Sequence, residues 1–283
     1  MKAIVNSPVC PLMTQPRPDC ELSDEALFGM VLEVLEQTTP GYWKVRTHYR
    51  YEGYAPVGCL GGLVIGDQSA GDWAALPKKM VLHKNFCDVL AQPKYQSWPR
   101  ITLPMGAVVA VTEPPETDPE TGSPNGWQCV SLPDGAQGYV RSAWLDTYYN
   151  TPVRLPERQL RQRICDTAML YWRTPYRWGG KSPLGIDCSG LTSMSYLLNG
   201  IVIYRDARLM DGFPIRPIRR EEIKPADLLY FPGHIALYLG EGKYIHSTGK
   251  AGSDGVCVNS LDPAASDYRA DLDKSLISAG TYF

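Results

Sequence analysis

Cys188 is the side chain of this sequence whose position most favours covalent chemistry. It lies in the segment Gly185-Ile186-Asp187-Cys188-Ser189-Gly190-Leu191 and opens a predicted helix, residues 188–199, in which apolar residues recur at helical spacing. A cysteine that opens a helix has backbone N–H groups and the positive end of the helix dipole directed at its sulfur. This setting favours a thiolate and so a nucleophile. The alternative is a small buried cysteine without a chemical role.

Two of the four histidines lie on one predicted hairpin downstream of this cysteine. Its strands cover residues 234–239 and 243–247, and alternation puts the side chains of His234, Ala236 and Tyr238 on one face of the sheet. A base on that face, next to a second imidazole, would complete a nucleophilic triad with a thiol.

The loop Gly240-Glu241-Gly242 decides whether the second imidazole shares that face. A three-residue loop, which this glycine pattern favours, pairs Leu239 with Lys243 and therefore Ala236 with His246. His246 is then diagonal to the first histidine and within contact distance of it. A two-residue loop would turn His246 to the opposite face.

Two other interpretations of these three residues stay open. The histidines can be polar residues on a wet sheet face, which is common. Cys188, His234 and His246 can also bind a metal ion, but the sequence has no pair of closely spaced ligands. We therefore expect no metal and no cofactor.

The first half of the chain contains a diverged repeat, residues 29–55 and 106–140. A tryptophan is followed by a Gly-Tyr pair ten residues later in one copy (Trp43, Gly53) and eleven later in the other (Trp127, Gly138). Short alternating strands with Gly and Pro turns predict small antiparallel barrels, residues 1–80 and 81–150.

The pattern changes after residue 150. Leu160, Ile164, Ala168 and Tyr171 recur at helical spacing, and the helix of Cys188 follows. Strand-like segments come afterwards, and helices followed by antiparallel strands predict an α+β domain over residues 151–283.

Composition limits the partners. Net charge is -2, so no basic field exists for nucleic acid or an anionic membrane. There is no run of about 18 apolar residues and no secretory signal pattern. The eight cysteines include no CxxC pair, which favours reduced thiols and a cytoplasmic location. No partner other than a substrate is expected, and a monomer is favoured.

Three segments resemble the NlpC/P60 cysteine peptidases: Pro175-Tyr176-Arg177-Trp178-Gly179-Gly180, Asp187-Cys188-Ser189-Gly190 and Pro225-Ala226-Asp227-Leu228-Leu229-Tyr230-Phe231. His234, followed twelve residues later by His246, and Arg205-Asp206-Ala207 also resemble the family, whereas Met210 stands where members often carry Gln. The repeats resemble bacterial SH3-like (SH3b) domains. The implied fold is an α+β papain-like (NlpC/P60) C-terminal domain preceded by two small all-β SH3b barrels.

The resemblance implies roles for several residues. Cys188 attacks, His234 moves the proton, His246 orients His234, and Tyr176 helps stabilise the oxyanion. Substrate contacts are implied for the residues that match family positions, with Asp187 pairing to the substrate ammonium and Ser189 beside it. An N-cap is the other role open to Asp187. The first SH3b domain offers further contacts to a free amine, with candidates Glu25, Tyr51 and Tyr54.

The domain order resembles the subgroup that cleaves the γ-D-glutamyl–diamino acid bond of cell-wall (murein) peptides with a free N-terminal L-alanine. A murein peptide is therefore the expected substrate. Two alternatives remain: an amidase that cuts between the sugar lactyl group and L-alanine, and a wall-binding protein without catalysis.

Overall fold

The computed structural model describes residues 1–62, 64–65 and 73–283. The chain divides into two compact units, Met1–Tyr148 and Tyr149–Phe283. Within the described part, no helix is long and apolar enough to cross a membrane. The predicted first barrel, residues 1–80, includes residues 63 and 66–72, which lie outside the described residues.

The first unit opens with a seven-stranded antiparallel sheet. Its strands are β1 (Lys2–Ile4), β2 (Val9–Met13), β3 (Leu22–Leu27), β4 (Val31–Thr39), β5 (Tyr42–Arg46), β6 (Glu52–Pro56) and β7 (Val64–Ile65). They are ordered β3-β2-β6-β5-β4-β1-β7 across the sheet.

A second seven-stranded sheet follows in the same unit. Its strands are β8 (Lys79–Leu82), β9 (Phe86–Leu90), β10 (Pro99–Pro104), β11 (Val108–Ala110), β12 (Trp127–Ser131), β13 (Gln137–Arg141) and β14 (Leu145–Thr147). The order is β10-β9-β13-β12-β11-β8-β14, in which each position holds the strand seven places later than in the first sheet. The predicted repeat of two small all-β SH3b-like domains is confirmed.

The two sheets pack against each other around Phe28 and Gly29. Phe28 is buried in the core of the second sheet, together with Val109 and Val130. Its carbonyl accepts a hydrogen bond from Val108 N–H at 2.8 Å. Gly29 has φ +76°, and a Cβ there would collide with the carbonyl of Val108, so a glycine is required.

The second unit combines helices with a mainly antiparallel sheet. Its elements are α1 (Glu157–Met169), β15 (Lys181–Ser182), β16 (Gly185–Ile186), α2 (Cys188–Leu197), β17 (Arg216–Ile218), β18 (Leu228–Phe231), β19 (His234–Gly240), β20 (Lys243–Thr248), β21 (Gly255–Ser260), α3 (Ala270–Lys274) and β22 (Ser278–Thr281). The main sheet is ordered β17-β22-β18-β19-β20-β21, and α2 packs on β19 and β20. The predicted α+β class is confirmed.

Both predicted helices end slightly early. α1 ends at Met169, and Tyr171 reaches the core from a following turn, where it is fully buried. α2 ends at Leu197, and Gly200, with φ +75°, reverses the chain as a glycine after a helix does.

The β19–β20 hairpin corrects one prediction. The loop has two residues, Glu241 and Gly242, because Gly240 rather than Leu239 pairs with Lys243. A register shift between Tyr238 and Gly240 adds one residue to β19, so that Tyr238 faces Tyr244. The bulge cancels the one-residue difference between the loops, and the register in which Ala236 faces His246 is kept.

A buried ion pair links α1 to the sheet. Arg161 donates to Asp227 Oδ1 at 2.8 Å and to the Pro225 carbonyl at 2.7 Å. The side chain of Asp227 is 1% exposed, and it also accepts from Lys224 N–H at 2.8 Å and from the Thr281 hydroxyl. Arg161 also pairs with the exposed carboxylate of Glu157 at 2.9 Å, so Asp227 is the buried one of its two counter-charges. The Asp227 charge is removed from water and depends on Arg161.

Asp227→Ala should destabilise the chain strongly, because it removes the buried carboxylate of the pair and leaves the buried Arg161 guanidinium with the exposed carboxylate of Glu157 as its counter-charge. We expect a loss of about 3–5 kcal/mol in the free energy of unfolding, measured in urea. The matched control is Asp267→Ala, which removes a half-exposed ion pair with Lys243 and should cost less than about 1 kcal/mol. Equal losses in the two variants would contradict the importance of the buried pair.

Candidate active site

Asp187 fixes the residue at which α2 begins. Its side chain caps the helix by accepting from Gly190 N–H at 2.5 Å through Oδ1, and it accepts from Gly179 N–H at 2.8 Å through Oδ2. An N-cap carboxylate satisfies one of the N–H groups that a helix leaves free at its start. The capping alternative for Asp187 therefore describes the observed geometry, and Cys188 becomes the first residue of α2.

Arg205 completes the anchoring of this carboxylate. Its guanidinium donates to Asp187 Oδ1 at 3.0 Å and Oδ2 at 3.1 Å, and to Ser189 Oγ at 2.7 Å. A bidentate contact of this kind fixes both partners in orientation as well as in distance. Arg205 is 2% exposed. The sequence marked Arg205 as part of a family segment but gave no role for it.

Asp187 and Ser189, which were both predicted to hold substrate, form hydrogen bonds within this network. Asp187 and Ser189 are buried, and each has at least one protein partner. Their predicted contacts with a substrate ammonium stay predictions.

Cys188 is the first residue of α2 and is 7% exposed as a residue. The backbone N–H groups of Ser189 and of Ile235, the residue after His234, favour its thiolate. Burial acts the other way and, with the nearby charge of Asp187, raises the pKa of the Cys188 thiol to about 11. Burial therefore opposes the thiolate that the start of the helix favours.

His234 and His246 lie side by side, as the predicted register requires. His234 Nε2 is 2.8 Å from His246 Nδ1, and the rings are nearly perpendicular, at 82°. Burial, followed by the charge of His246, lowers the pKa of His234 to about 3. Burial also lowers the pKa of His246 to about 4. Both rings are therefore neutral at pH 7, and His234 can accept a proton.

Asn259 is a partner of His246 that the sequence did not indicate. Its Oδ1 is 2.9 Å from His246 Nε2. Asn259 lies on β21, which was not among the predicted strands, and its position is set by the pairing of His246 with Cys257. The only sequence signal was the alternation of side chains expected for a strand over residues 255–260. It could have placed Asn259 on the same face of the sheet as His246.

Tyr176 lies beside the thiol. It forms a parallel bridge with Ile186, two residues before Cys188, and its side chain is half-buried. Burial raises the pKa of the Tyr176 phenol to about 12, and the charges of Cys188 and Asp187 add to the rise. The hydroxyl is therefore protonated at neutral pH and can donate a hydrogen bond to a developing oxyanion.

Three further predicted residues belong to the first unit. Glu25 is a buried residue of β3, opposite Pro11. Tyr51 directly precedes β6, and Tyr54 lies on β6 opposite Lys44, both of them half-buried. Their predicted contact with a substrate amine stays a prediction.

The metal-binding alternative finds no cluster to support it. In residues 1–62, 64–65 and 73–283, no group of three or more His, Cys, Asp or Glu side chains is arranged to hold a metal ion.

Comparison with known proteins identifies a matching family and relatives of the chain. Residues 173–270 match the model of the NlpC/P60 family. The chain is 42% identical over 283 residues to Dipeptidyl-peptidase 6 of Lysinibacillus sphaericus, covering 100% of both chains. It is 31% identical over 126 residues to Gamma-D-glutamyl-L-lysine dipeptidyl-peptidase of Bacillus cereus, which is 42% of this chain and 37% of that relative.

A solved structure shares the fold over the whole length. The crystal structure of an NlpC/P60 family protein from Bacillus cereus ATCC 10987 superposes with a TM-score of 0.79 at 20% identity, covering 100% of this chain and 99% of the other. Together with the full-length relative, these matches show that the chain is a peptidase that belongs to the NlpC/P60 family.

Proposed function

We propose that this peptidase is a cysteine endopeptidase that hydrolyses the γ-D-glutamyl–diamino acid bond of murein peptides with a free N-terminal L-alanine. The observation that carries the proposal is a thiol at the capped start of α2, in contact with the backbone N–H of Ile235, the residue after His234, whose ring contacts His246. The names of two relatives, a dipeptidyl-peptidase and a γ-D-glutamyl-L-lysine dipeptidyl-peptidase, support the choice of bond.

The first step forms a thioester. The Cys188 sulfur attacks the γ-glutamyl carbonyl carbon while His234 takes the thiol proton, so that the nucleophile becomes a thiolate only as the new bond forms. The tetrahedral intermediate collapses with cleavage of the C–N bond. His234 returns its proton to the nitrogen, and the diamino acid leaves as an amine.

The second step is hydrolysis of the thioester. A water molecule gives a proton to His234 and attacks the same carbonyl, and the Cys188 sulfur leaves with that proton. The enzyme returns to its starting state, and L-alanyl-D-glutamate is released. In both steps the negative oxygen receives hydrogen bonds from the Cys188 N–H and the Tyr176 hydroxyl.

In this mechanism the thiol and the imidazole are both neutral before substrate binds. At pH 7 the thiol, with its pKa raised, and His234, with its pKa lowered, exchange a proton only when substrate is present. The buried site thus avoids holding an unpaired charge. We also propose that the free amine of the substrate is recognised by carboxylates, with Asp187 and Glu25 as candidates.

We place the reaction in the cytoplasm, on small wall peptides that are being recycled. All eight cysteines are free thiols, which supports a reducing compartment.

Alkylation of Cys188 should remain slow at neutral pH. Because its pKa is raised to about 11, we expect the iodoacetamide rate to rise about tenfold per pH unit between pH 6 and 10, in step with the thiolate fraction. The rate is measured on the Cys188 peptide by mass spectrometry.

Cys59 is the control for this titration, since a hydrogen bond from Cys10 lowers the pKa of its thiol to about 6. Its alkylation rate should level off above about pH 7. A Cys188 rate that levels off at the same pH would show a thiolate in the free enzyme and contradict the neutral pair.

Cys188→Ala should abolish cleavage of L-Ala-γ-D-Glu-diaminopimelate, with a loss of at least about a thousandfold in kcat, because no other group forms the acyl-enzyme. Cys165→Ala removes a buried thiol of α1 and should leave the rate close to that of the wild type. Products are weighed by mass spectrometry, and the lysine peptide is run in parallel. Turnover by the alanine variant at the wild-type rate would end the proposal.

The wild-type enzyme should cut the free-amine peptide much faster than its N-acetylated form, since acetylation removes the charge that carboxylates recognise. The two peptides are compared by kcat/KM at pH 7. Equal values would contradict amine recognition. Release of an intact peptide from a muramyl-peptide, by cleavage before L-alanine, would assign the chain as an amidase instead.

A further inference from the structure

The two ends of the Asn259 amide have different partners. Its Nδ2 donates to the backbone carbonyl of Asp267 at 2.8 Å. A carbonyl oxygen only accepts hydrogen bonds, so the NH₂ group of the amide must face Asp267. The carbonyl end, Oδ1, is thereby directed at His246 Nε2, 2.9 Å away.

This orientation determines where His246 carries its proton. An amide oxygen only accepts, so His246 Nε2 must be the N–H of the contact. A neutral imidazole has one N–H, and its other nitrogen is an acceptor. His246 Nδ1 therefore accepts, and His234 Nε2, at 2.8 Å, must donate to it.

The donor role of His234 Nε2 determines the state of the other ring nitrogen, Nδ1. With its proton on Nε2, neutral His234 has a lone pair on Nδ1. In the alternative tautomer, His246 would donate from Nδ1, His234 Nε2 would accept, and His234 Nδ1 would already hold a hydrogen. A base in that state cannot take the proton of the thiol.

Other groups near His246 do not select a tautomer. Cys257 Sγ is 3.4 Å from His246 Nε2 and 3.5 Å from Asn259 Oδ1, but a thiol is a weak donor as well as a weak acceptor. Arg269, paired to Asp271 by two contacts of 2.7 Å, influences the ring by its charge. Asn259 is the partner in hydrogen-bond contact that can only accept at Nε2.

The geometry points to Asn259 as a positioning residue, which holds His246 and, through it, His234 in the tautomer that leaves His234 Nδ1 free to accept the Cys188 proton. The inference rests on the proposed function, because it gives His234 the task of a base. It extends that function by a residue that acts through His246.

The kinetic test compares two substitutions of Asn259. Asn259→Leu removes the acceptor and should lower kcat about ten- to hundredfold with little change in KM, as loss of an orienting partner does. Asn259→Asp restores an acceptor at the same place and should recover most of kcat. Cys257→Ala removes the other neighbour of His246 Nε2 and should have a much smaller effect than Asn259→Leu.

A second measurement needs no substrate. The chain has four histidines, so ¹⁵N NMR spectra of the free protein can be assigned by comparison with single histidine variants. In the wild type, both His234 and His246 should be protonated on Nε2 only. In Asn259→Leu, His246 should show a mixture of tautomers or the Nδ1-protonated form. Retention of folding is checked on the same spectra.

The outcomes separate this inference from the proposed function. A wild-type His246 protonated on Nδ1, an Asn259→Leu enzyme with unchanged kcat, or a Cys257→Ala loss as large as that of Asn259→Leu would overturn the role of Asn259. If the wild type cut a different bond of the wall peptide, the proposed specificity would fail, but the tautomers of the free protein would still support or contradict Asn259.

Discussion

The carboxylate of Asp187 receives hydrogen bonds from three separate parts of the second unit: the Gly179 backbone, the first turn of α2 at Gly190, and Arg205. Each contact restricts it in a different direction, and all are shielded from water. Because Asp187 is the N-cap, these contacts also determine where α2 starts and so where the Cys188 sulfur lies. Loss of these Asp187 contacts would therefore displace the thiol.

The position of His234, the proposed base, depends on a second restraint, in the hairpin β19–β20. A one-residue bulge combined with a two-residue turn keeps His246 on the side of His234. The next strand, β21, then supplies Asn259 through its pairing with β20. Three adjacent strands thus build one row of hydrogen-bonded side chains, and burial keeps both rings neutral. In the proposed mechanism, this arrangement moves one proton without holding a charge on either ring beforehand.

Much of this arrangement could be predicted from sequence because it depends on local rules. The start of α2 follows from Asp187 before an apolar helical pattern. The two sheets with equivalent strand order follow from the repeated Trp and Gly-Tyr spacing. The neighbouring histidines were expected for a register that proved correct, although the loop length used to derive it was wrong.

The rest depends on tertiary contacts that a local pattern does not contain. The bulge near Leu239 has no sequence signal beyond its glycines. Asn259 becomes a partner of His246 only through strand pairing, and the bond from Asn259 to Asp267 comes from a loop beyond β21. The pKa of Cys188 depends on how deeply the sulfur is buried, which outweighs the helix N-terminus that the sequence did reveal.

The proposed catalysis requires nucleophilic attack by the Cys188 sulfur, with the His234 imidazole as its base. Rapid acid quench of the enzyme with L-Ala-γ-D-Glu-diaminopimelate, followed by peptide mass spectrometry, measures this directly. We expect an L-alanyl-γ-D-glutamyl thioester on the Cys188 peptide, formed during the first turnover and absent from His234→Ala. Complete turnover without any adduct on that cysteine, or an adduct on another side chain, would contradict the account.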